Sequence, residues 1–290
     1  MMKRLIAMLM ALALLASGAL AEELPSWPGG VPLAVDGTPE TIDLNGDGIE
    51  ETVVCRMVED DYDGHLQLLV TAADGTEAVF DTEILSMPIA WAADMNGDGL
   101  VEVFLSGDIM SDDYFTVCLN CIDGTLRPLL FADTSRGDNL SGAYFKQGYG
   151  LLEDADPAAG TVTLCGSQDV LGTWFGSRTL KLEPGGLFEY ADDGWWKRQL
   201  GDDDDGELWE YAALTLKTSV PCHIDGVDAV LAPGDRILIT GSDKESEASF
   251  LTQDGRTGTL VVFPDYEKGW GWQVDGISED DLFEHVPYAD

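Results

Sequence analysis

The segment DLNGDGIEE at residues 43–51 returns, 51 residues further on, as DMNGDGLVE at residues 94–102. Both copies have Asp, Asn, Asp and Gly at positions 1, 3, 5 and 6, a carboxylate at position 9, and strand-like sequence after it. A repeat with a period of about 50 residues is typical of stacked β units such as propeller blades. The repeat therefore predicts a β fold built from successive similar units.

The repeated segments carry the oxygen donors of a calcium loop. Ca²⁺ takes roughly six to eight oxygen ligands from carboxylates, amides and backbone carbonyls, and a glycine lets such a loop turn sharply. Each predicted site has four side-chain ligands and one backbone carbonyl, from Ile49 or Leu100. The predicted ligands are Asp43, Asn45, Asp47, Ile49 and Glu51 in the first copy, and Asp94, Asn96, Asp98, Leu100 and Glu102 in the second.

An EF-hand and a metal-free turn are the alternatives to a calcium loop of this kind. An EF-hand needs a bidentate Glu at position 12, but Val54 and Leu105 occupy that position here, and β-like sequence follows instead of a helix. Asp-Gly and Asn-Gly also form metal-free hairpin turns, and this alternative stays open. The ligand spacing and the recurrence favour Ca²⁺.

A carboxylate at position 9 followed by a strand resembles the calcium loops of FG-GAP/VCBS-type repeats, which occur in integrin-like β-propellers. The surrounding repeat units are similar to that family as well. The resemblance implies that residues 22–200 form a propeller-like β-repeat domain that binds Ca²⁺. Because two copies are intact, it leaves open whether the repeats close into a ring.

The C-terminal residues 207–290 read as a second, smaller β unit. Pro233-Gly234-Asp235 and Asp254-Gly255 predict turns between short apolar runs. This arrangement resembles bacterial SH3-like domains of exported proteins, which implies a small β-barrel. The uniformly polar segment GDDDDG at residues 201–206 is interpreted as an acidic linker between the two units.

Two tryptophans in the C-terminal unit form a candidate ligand surface. Trp270 and Trp272 are two residues apart, so on a strand they would share one face and could present a flat aromatic surface to a glycan or peptide. The alternative is that they pack into the barrel or against the repeat domain.

After residue 21, short strand-like runs alternate with turn dipeptides such as Asp74-Gly75, and no long stretch has apolar residues at helical spacing. The predicted fold class is therefore mainly β: a propeller-like repeat domain, which need not be complete, followed by a small SH3-like β-barrel.

The charge of the chain excludes two kinds of partner. With 15 basic and 54 acidic residues, the formal net charge is −39. Nucleic acid and anionic membrane surfaces would repel such a chain, because both are bound through Lys and Arg. Since 45% of the residues are hydrophobic, the chain can nevertheless form a sizeable core.

The first 21 residues have the pattern of a cleaved signal peptide. Lys3 and Arg4 precede an apolar run that is too short to span a bilayer, and Ala19-Leu20-Ala21 provides a small-x-small cleavage site. The sequence therefore predicts a secreted or extracytoplasmic protein without a transmembrane anchor. Its five cysteines are an odd number, so at least one is expected outside any internal disulfide.

No recognisable catalytic motif accompanies these features. The three histidines lie far apart, and neither a nucleophile elbow nor a glycine-rich phosphate loop is present. The preferred hypothesis is an exported, non-catalytic calcium-binding protein that binds a glycan, peptide or protein at the cell envelope. The alternative is a secreted hydrolase that acts on envelope polysaccharide or peptide and uses the SH3-like part for targeting.

Overall fold

The computed structural model describes residues 27–59, 64–110, 113–132, 144–198, 200, 205–266 and 268–288. The predicted signal peptide and the first four residues of the predicted linker lie outside these ranges. Strands hold 58% of the described residues and helices 3%, so the prediction of a mainly β fold is confirmed. No helix in the described ranges is long and apolar enough to cross a bilayer.

The first part of the chain consists of strands β1 to β17. Their bounds are β1 Val31–Pro32, β2 Asp36–Ile42, β3 Glu51–Glu59, β4 Gly64–Thr71, β5 Glu77–Asp81, β6 Ser86–Ala93, β7 Glu102–Asp108, β8 Tyr114–Ile122, β9 Thr125–Pro128, β10 Leu130–Ala132, β11 Tyr144–Phe145, β12 Gly148–Tyr149, β13 Leu151–Asp156, β14 Thr161–Gln168, β15 Trp174–Glu183, β16 Leu187–Tyr190 and β17 Trp196–Arg198.

The second part consists of two short helices and strands β18 to β25. Their bounds are α1 Asp205–Tyr211, β18 Leu214–Thr215, β19 Val220–Ile224, β20 Val227–Leu231, β21 Arg236–Ser242, β22 Glu247–Thr252, β23 Thr257–Pro264, β24 Trp272–Val274, β25 Ile277–Ser278 and α2 Glu279–Leu282.

The first part is built from three consecutive antiparallel meanders of four strands each. The meanders are β2–β5, β6–β9 and β13–β16, with neighbouring strands paired in sequence order. The two DxNxDG segments connect the first and second strands of their meanders, and in the third meander the short turn between Asp156 and Thr161 takes that place. None of the sheets closes on itself within the described residues.

The second meander lies between the other two and packs against both. Residues alternate between the two faces of a strand, so Val103 and Leu105 of β7 contact the core shared with the first meander. Phe104, between them, joins Leu164 and Phe188 in the core shared with the third meander. Because β7 and β8 are buried on both faces, the meanders are layers of one stacked structure.

The third meander continues directly into the C-terminal part of the chain. Strand β15 pairs with β17, and β17 pairs with β21. Trp174 and Trp196 lie in the same core as Phe250 and Phe283, and the guanidinium of Arg178 lies 4.4 Å from the centre of the Trp196 ring. The two parts therefore share a sheet and a core.

The predicted linker at residues 201–206 overlaps a helix. Asp205 and Gly206 are the first residues of α1, and the four residues before them lie outside the described ranges. A polar composition does not exclude a helix start, since acidic residues are favourable in the first turn, next to the positive end of the helix dipole.

The C-terminal part has its own strand arrangement. Strands β21, β22 and β23 form a meander, β19 pairs with β23, and β19 forms a hairpin with β20. A bridge between Leu216 and Phe283 brings the two ends of this region together. Its core consists mainly of the inward residues of these strands, including Ile237, Phe250 and Leu260.

The five cysteines form no disulfide. Cys55, Cys118, Cys121 and Cys222 are buried and Cys165 is half-buried. The expected unpaired thiol is present, and burial raises the pKa of Cys55 to about 12, so this thiol is unreactive at neutral pH.

A buried hydroxyl network ties the second meander to the third. The hydroxyls of Ser106 and Thr116 lie 2.7 Å apart, and both side chains are fully buried. Thr116 donates to the carbonyl of Gly150 over 2.8 Å, and the amide of Leu152 donates to Ser106 over 2.8 Å. Both hydroxyls therefore satisfy backbone groups where the chain enters β13.

We expect Thr116→Val to lower the free energy of unfolding by about 1–3 kcal/mol, because it leaves a buried carbonyl and a buried hydroxyl without their partner. The nearly isosteric change keeps the packing. Denaturant unfolding measures the effect, with Thr41→Val on an exposed position of β2 as the control, expected to stay within about 0.5 kcal/mol. Equal stability of the two variants would show that the Thr116 hydroxyl does not stabilise the junction between the second and third meanders.

Candidate metal centre

In the first loop, one aspartate folds the chain around itself. The two carboxylate oxygens of Asp43 accept hydrogen bonds from the amides of Gly46 and Gly48, each over 2.8 Å. The Asn45 side-chain oxygen accepts from the amide of Asp47, and the Asp47 carboxylate accepts from the amide of Ile49. Positions 1, 3 and 5 thus direct their oxygens toward the inside of one turn.

The second loop repeats the hydrogen bonds from backbone amides, whereas the side-chain amide of Asn96 donates to Asp98 and that of Asn45 donates to Glu51. Asp94 accepts from the amides of Gly97 and Gly99 over 2.7 and 3.0 Å. Asn96 accepts from the amide of Asp98, which in turn accepts from the amide of Leu100. The similarity of the two sequence segments is therefore a similarity of conformation.

Glycine is required at positions 4 and 6 of each loop. The φ angles are 71° and 84° at Gly46 and Gly48, and 73° and 86° at Gly97 and Gly99. Residues with a Cβ rarely adopt this left-handed region. These four glycines let the backbone amides converge on the carboxylate at position 1.

The glutamate at position 9 is the first residue of the following strand, and its side chain closes the loop. Glu51 opens β3 and accepts hydrogen bonds from the amide of Leu44 and the side-chain amide of Asn45, each over 2.9 Å. Glu102 opens β7 and accepts from the amide of Met95 over 2.9 Å. Glu51 is 4% exposed and Glu102 is 1% exposed, so both carboxylates are held at the base of their loops.

Burial is the largest cause that raises the pKa of Glu102 to about 7, and the charges of Asp98 and Asp94 contribute to the same rise. The hydrogen bond from Met95 acts in the opposite direction. A carboxylate held this close to two others is costly unless a cation or a proton offsets the repulsion. The second loop therefore gathers negative charge at a buried position.

The loops are adjacent and depend on each other. The amide of Val101 donates to the carbonyl of Leu44 over 3.0 Å. A Cβ atom placed on Gly46 would lie 2.6 Å from the carbonyl oxygen of Gly99. Stacking of the first two meanders therefore brings both loops to the same end of the structure.

The oxygen donors of each loop are of the types that bind Ca²⁺ in proteins. They comprise carboxylates, one amide oxygen and a backbone carbonyl at Ile49 or Leu100, and no nitrogen or sulfur ligand is needed. Within the described ranges, no group of three or more His, Cys, Asp or Glu side chains is already placed to hold a metal ion. The carboxylates instead accept hydrogen bonds from backbone amides.

The sequence did not single out the residue at position 2 of each loop. Leu44 and Met95 are fully buried and fix the loops to the cores below them, and their amides bind the closing glutamates. The available signal was an apolar residue at the same position in both copies.

The structure separates the two tryptophans of the candidate ligand surface. Trp272 lies in β24 and is 6% exposed, whereas Trp270 precedes the strand in a turn and is 60% exposed. The Trp270 ring packs edge-on against Tyr288, with 6.5 Å between the ring centres. Strand alternation does not apply to a residue outside the strand, so a shared aromatic face is not formed.

Comparison of the chain with family models, with curated proteins and with solved structures finds no match. The FG-GAP/VCBS and SH3 resemblances therefore stay predictions from sequence patterns.

We expect Glu102→Gln to raise the stability of the metal-free protein at pH 8 and to have little effect below about pH 4.5. The folded-state pKa of Glu102 is about 7, above its ordinary value of 4.5, so the folded state binds this proton more tightly than the unfolded state. The protonated form of Glu102 stabilises the folded state at low pH, and this contribution is lost as the pH rises through 7. Thermal unfolding in chelator across this pH range measures the effect.

Glu77→Gln on β5 is the matched control for this pH series, since Glu77 is exposed. The control should follow the wild-type pH profile. A Glu102→Gln profile parallel to that of wild type at all pH values would show that Glu102 ionises normally in the folded state.

Proposed function

We propose that the chain is an exported, non-catalytic protein whose stacked β repeats are stabilised by Ca²⁺ and which binds a ligand at the cell envelope. The observation that carries this proposal is the duplicated loop, with the same hydrogen bonds from backbone amides in both copies and a buried glutamate closing each one. Two loops that repeat a ligand pattern in sequence and in conformation favour a shared role over two coincidental turns.

Calcium binding would require the carboxylates at position 1 to exchange hydrogen bonds from backbone amides for the ion. Asp43, Asn45, Asp47 and Glu51, with the Ile49 carbonyl, would hold one ion, and the corresponding residues from Asp94 to Glu102 the other. The side chain of Ile49 is 54% exposed, which suits a residue that contributes through its backbone. A bound cation would offset the repulsion among the carboxylates of each loop.

The fold supports a finer architectural proposal. Three consecutive four-stranded meanders, stacked face to face, have the arrangement expected of successive propeller blades. In the C-terminal part, the meander β21–β23, the hairpin β19–β20 and the Leu216–Phe283 bridge support an SH3-like unit. We propose a propeller-like repeat region joined to an SH3-like unit.

The exported location rests on the signal-peptide pattern at residues 1–21 and on the strongly acidic composition. In this proposal the repeats provide a rigid calcium-stabilised body, and the C-terminal part provides the binding surface. The envelope ligand is a glycan, a peptide or a protein.

We expect Ca²⁺ to raise the melting temperature of the protein from which residues 1–21 have been removed, because a ligand that binds only the folded state stabilises it by mass action. At a free Ca²⁺ concentration of about 100 times Kd, the stabilisation is about 2.7 kcal/mol for each of the two sites. Calorimetry in millimolar Ca²⁺ and in chelator measures the shift. Identical melting curves would refute the calcium proposal.

The double variant Asp94→Asn, Asp98→Asn tests whether the second loop holds the ion. We expect it to lose about half of the calcium-induced stabilisation, taken as the difference between Ca²⁺ and chelator for the variant itself. Each Asn has one accepting oxygen where the carboxylates of Asp94 and Asp98 use both, so the melting temperature of the variant in chelator also falls. Asp74→Asn is the control, because Asp74 accepts from the amide of Thr76 in a turn outside both loops. If the control and the double variant respond alike to Ca²⁺, the ion binds elsewhere.

A further inference from the structure

The C-terminal sheet ends at an edge strand with an exposed, partly apolar face. Strand β20 pairs with β19 and, within the described residues, has no strand on its other side. Val230 on β20 is 67% exposed and Val261 on β23 is 45% exposed. Pro221 of β19 lies opposite Val230, and all three residues line one groove.

This groove has a volume of about 410 Å³ and combines apolar and acidic walls. The remaining lining residues lie on β19, β20 and β23 and in the turn after β24: Cys222, His223, Asp228, Ala229, Thr259 and Asp275. His223 pairs with Asp228 over 2.9 Å, and the Asp228 side chain is 93% exposed. The groove thus places an apolar area beside an accessible carboxylate.

The register of the β19–β20 hairpin determines which backbone groups face the open edge. Antiparallel pairs alternate between hydrogen-bonded and non-hydrogen-bonded pairs. Proline has no N–H, so the Pro221–Val230 pair is a non-hydrogen-bonded one, and so is His223–Asp228, two residues along. The N–H and C=O groups of Asp228 and Val230 therefore point away from β19, toward the open edge.

An edge with free backbone groups can accept a further strand from a peptide. Residues two apart on that strand would lie next to Val230 and Asp228 on the exposed face. An apolar residue fits beside Val230, and a basic residue fits beside Asp228.

The net charge of the chain decides between two candidate occupants. A second copy would bring another charge of −39 to an edge that already carries Asp228 and Asp275, and like charges oppose such an encounter. A cationic segment is attracted by the same charges.

We propose that the open edge of β20 binds an extended cationic peptide with an apolar residue beside Val230 and a Lys or Arg two positions away, beside Asp228. This inference rests on the proposed binding function of the C-terminal part. It does not depend on the calcium loops, which lie in the first and second meanders.

Fluorescence anisotropy with labelled octapeptides tests the proposal on the chain without residues 1–21. The probe alternates Val and Lys at every second position, with Thr between them, and a second peptide has Glu in place of Lys. We expect saturable binding of the Lys peptide, weakened by salt because surface charges are screened, and at least tenfold weaker binding of the Glu peptide. Equal binding of the two peptides would overturn the charge assignment.

Backbone pairing is tested on the peptide itself, which leaves the protein unchanged. Methylating one alternating set of its backbone amides should abolish binding, because those N–H groups face β20, and methylating the other set should leave it intact. Binding that tolerates both methylated sets would exclude an added strand.

Two variants locate the site on the protein. Val230→Lys should weaken binding of the Lys peptide about tenfold, whereas Val79→Lys, at an exposed valine on edge strand β5, should not. Asp228→Lys should reverse the preference, so that the Glu peptide binds better than the Lys peptide. This gain of binding cannot result from misfolding. Equal affinity of wild type and Val230→Lys would place the peptide elsewhere.

Sedimentation over a range of concentrations tests whether a second copy of the chain binds at the β20 edge. A dimer that Val230→Lys abolishes would overturn the peptide proposal. All binding is measured in Ca²⁺ and in chelator. Peptide binding without a calcium-induced rise in melting temperature would refute only the calcium loops. A rise in melting temperature without peptide binding would refute only the edge site.

Discussion

Hydrogen bonds from backbone amides to aspartate carboxylates are the interaction on which the first half of the structure depends. In each loop one Asp binds two glycine amides, and a buried glutamate from the next strand binds the amide at position 2. In the first loop these bonds fix where β2 ends and β3 begins. In the second loop they fix where β6 ends and β7 begins. Because the loops also contact each other through Leu44 and Val101, their conformation and the stacking of the first two meanders are coupled.

The same interaction recurs in turns outside the loops. Asp74, Asp156 and Asp243 each accept an amide hydrogen bond within a turn. Hydrogen bonds from the backbone and the side chain of Thr76 lower the pKa of Asp74, so the ionised form is the one that favours the turn. A protein made of short strands needs many turns, and aspartate supplies them. The charge of −39 is thus partly structural, and it also shapes the acidic edge beside Val230.

The loops and the strand-rich character could be predicted because both depend on local chemistry. The spacing of Asp, Asn, Asp, Gly and Glu was sufficient to place the carboxylates and the turns, and alternating apolar residues were sufficient to indicate strands. The connection between the repeat part and the C-terminal part of the chain could not be predicted in the same way. Residues 201–206 consist only of Gly and Asp, yet α1 begins within them. Pairing of β17 with β21 joins the two parts of the chain. Trp272 is buried and Trp270 exposed because β24 begins between them, a boundary that two-residue spacing does not reveal.

The sequence by itself determined the duplicated loop and the mainly β class, since these follow from residue types a few positions apart. Only the tertiary structure decided that the two loops lie side by side, that the second meander is buried on both faces and that β20 is an edge strand among the described residues. Those features result from contacts between residues far apart in the chain. They depend on which sheet faces pack together and on where a sheet ends, and neither is encoded in a local pattern.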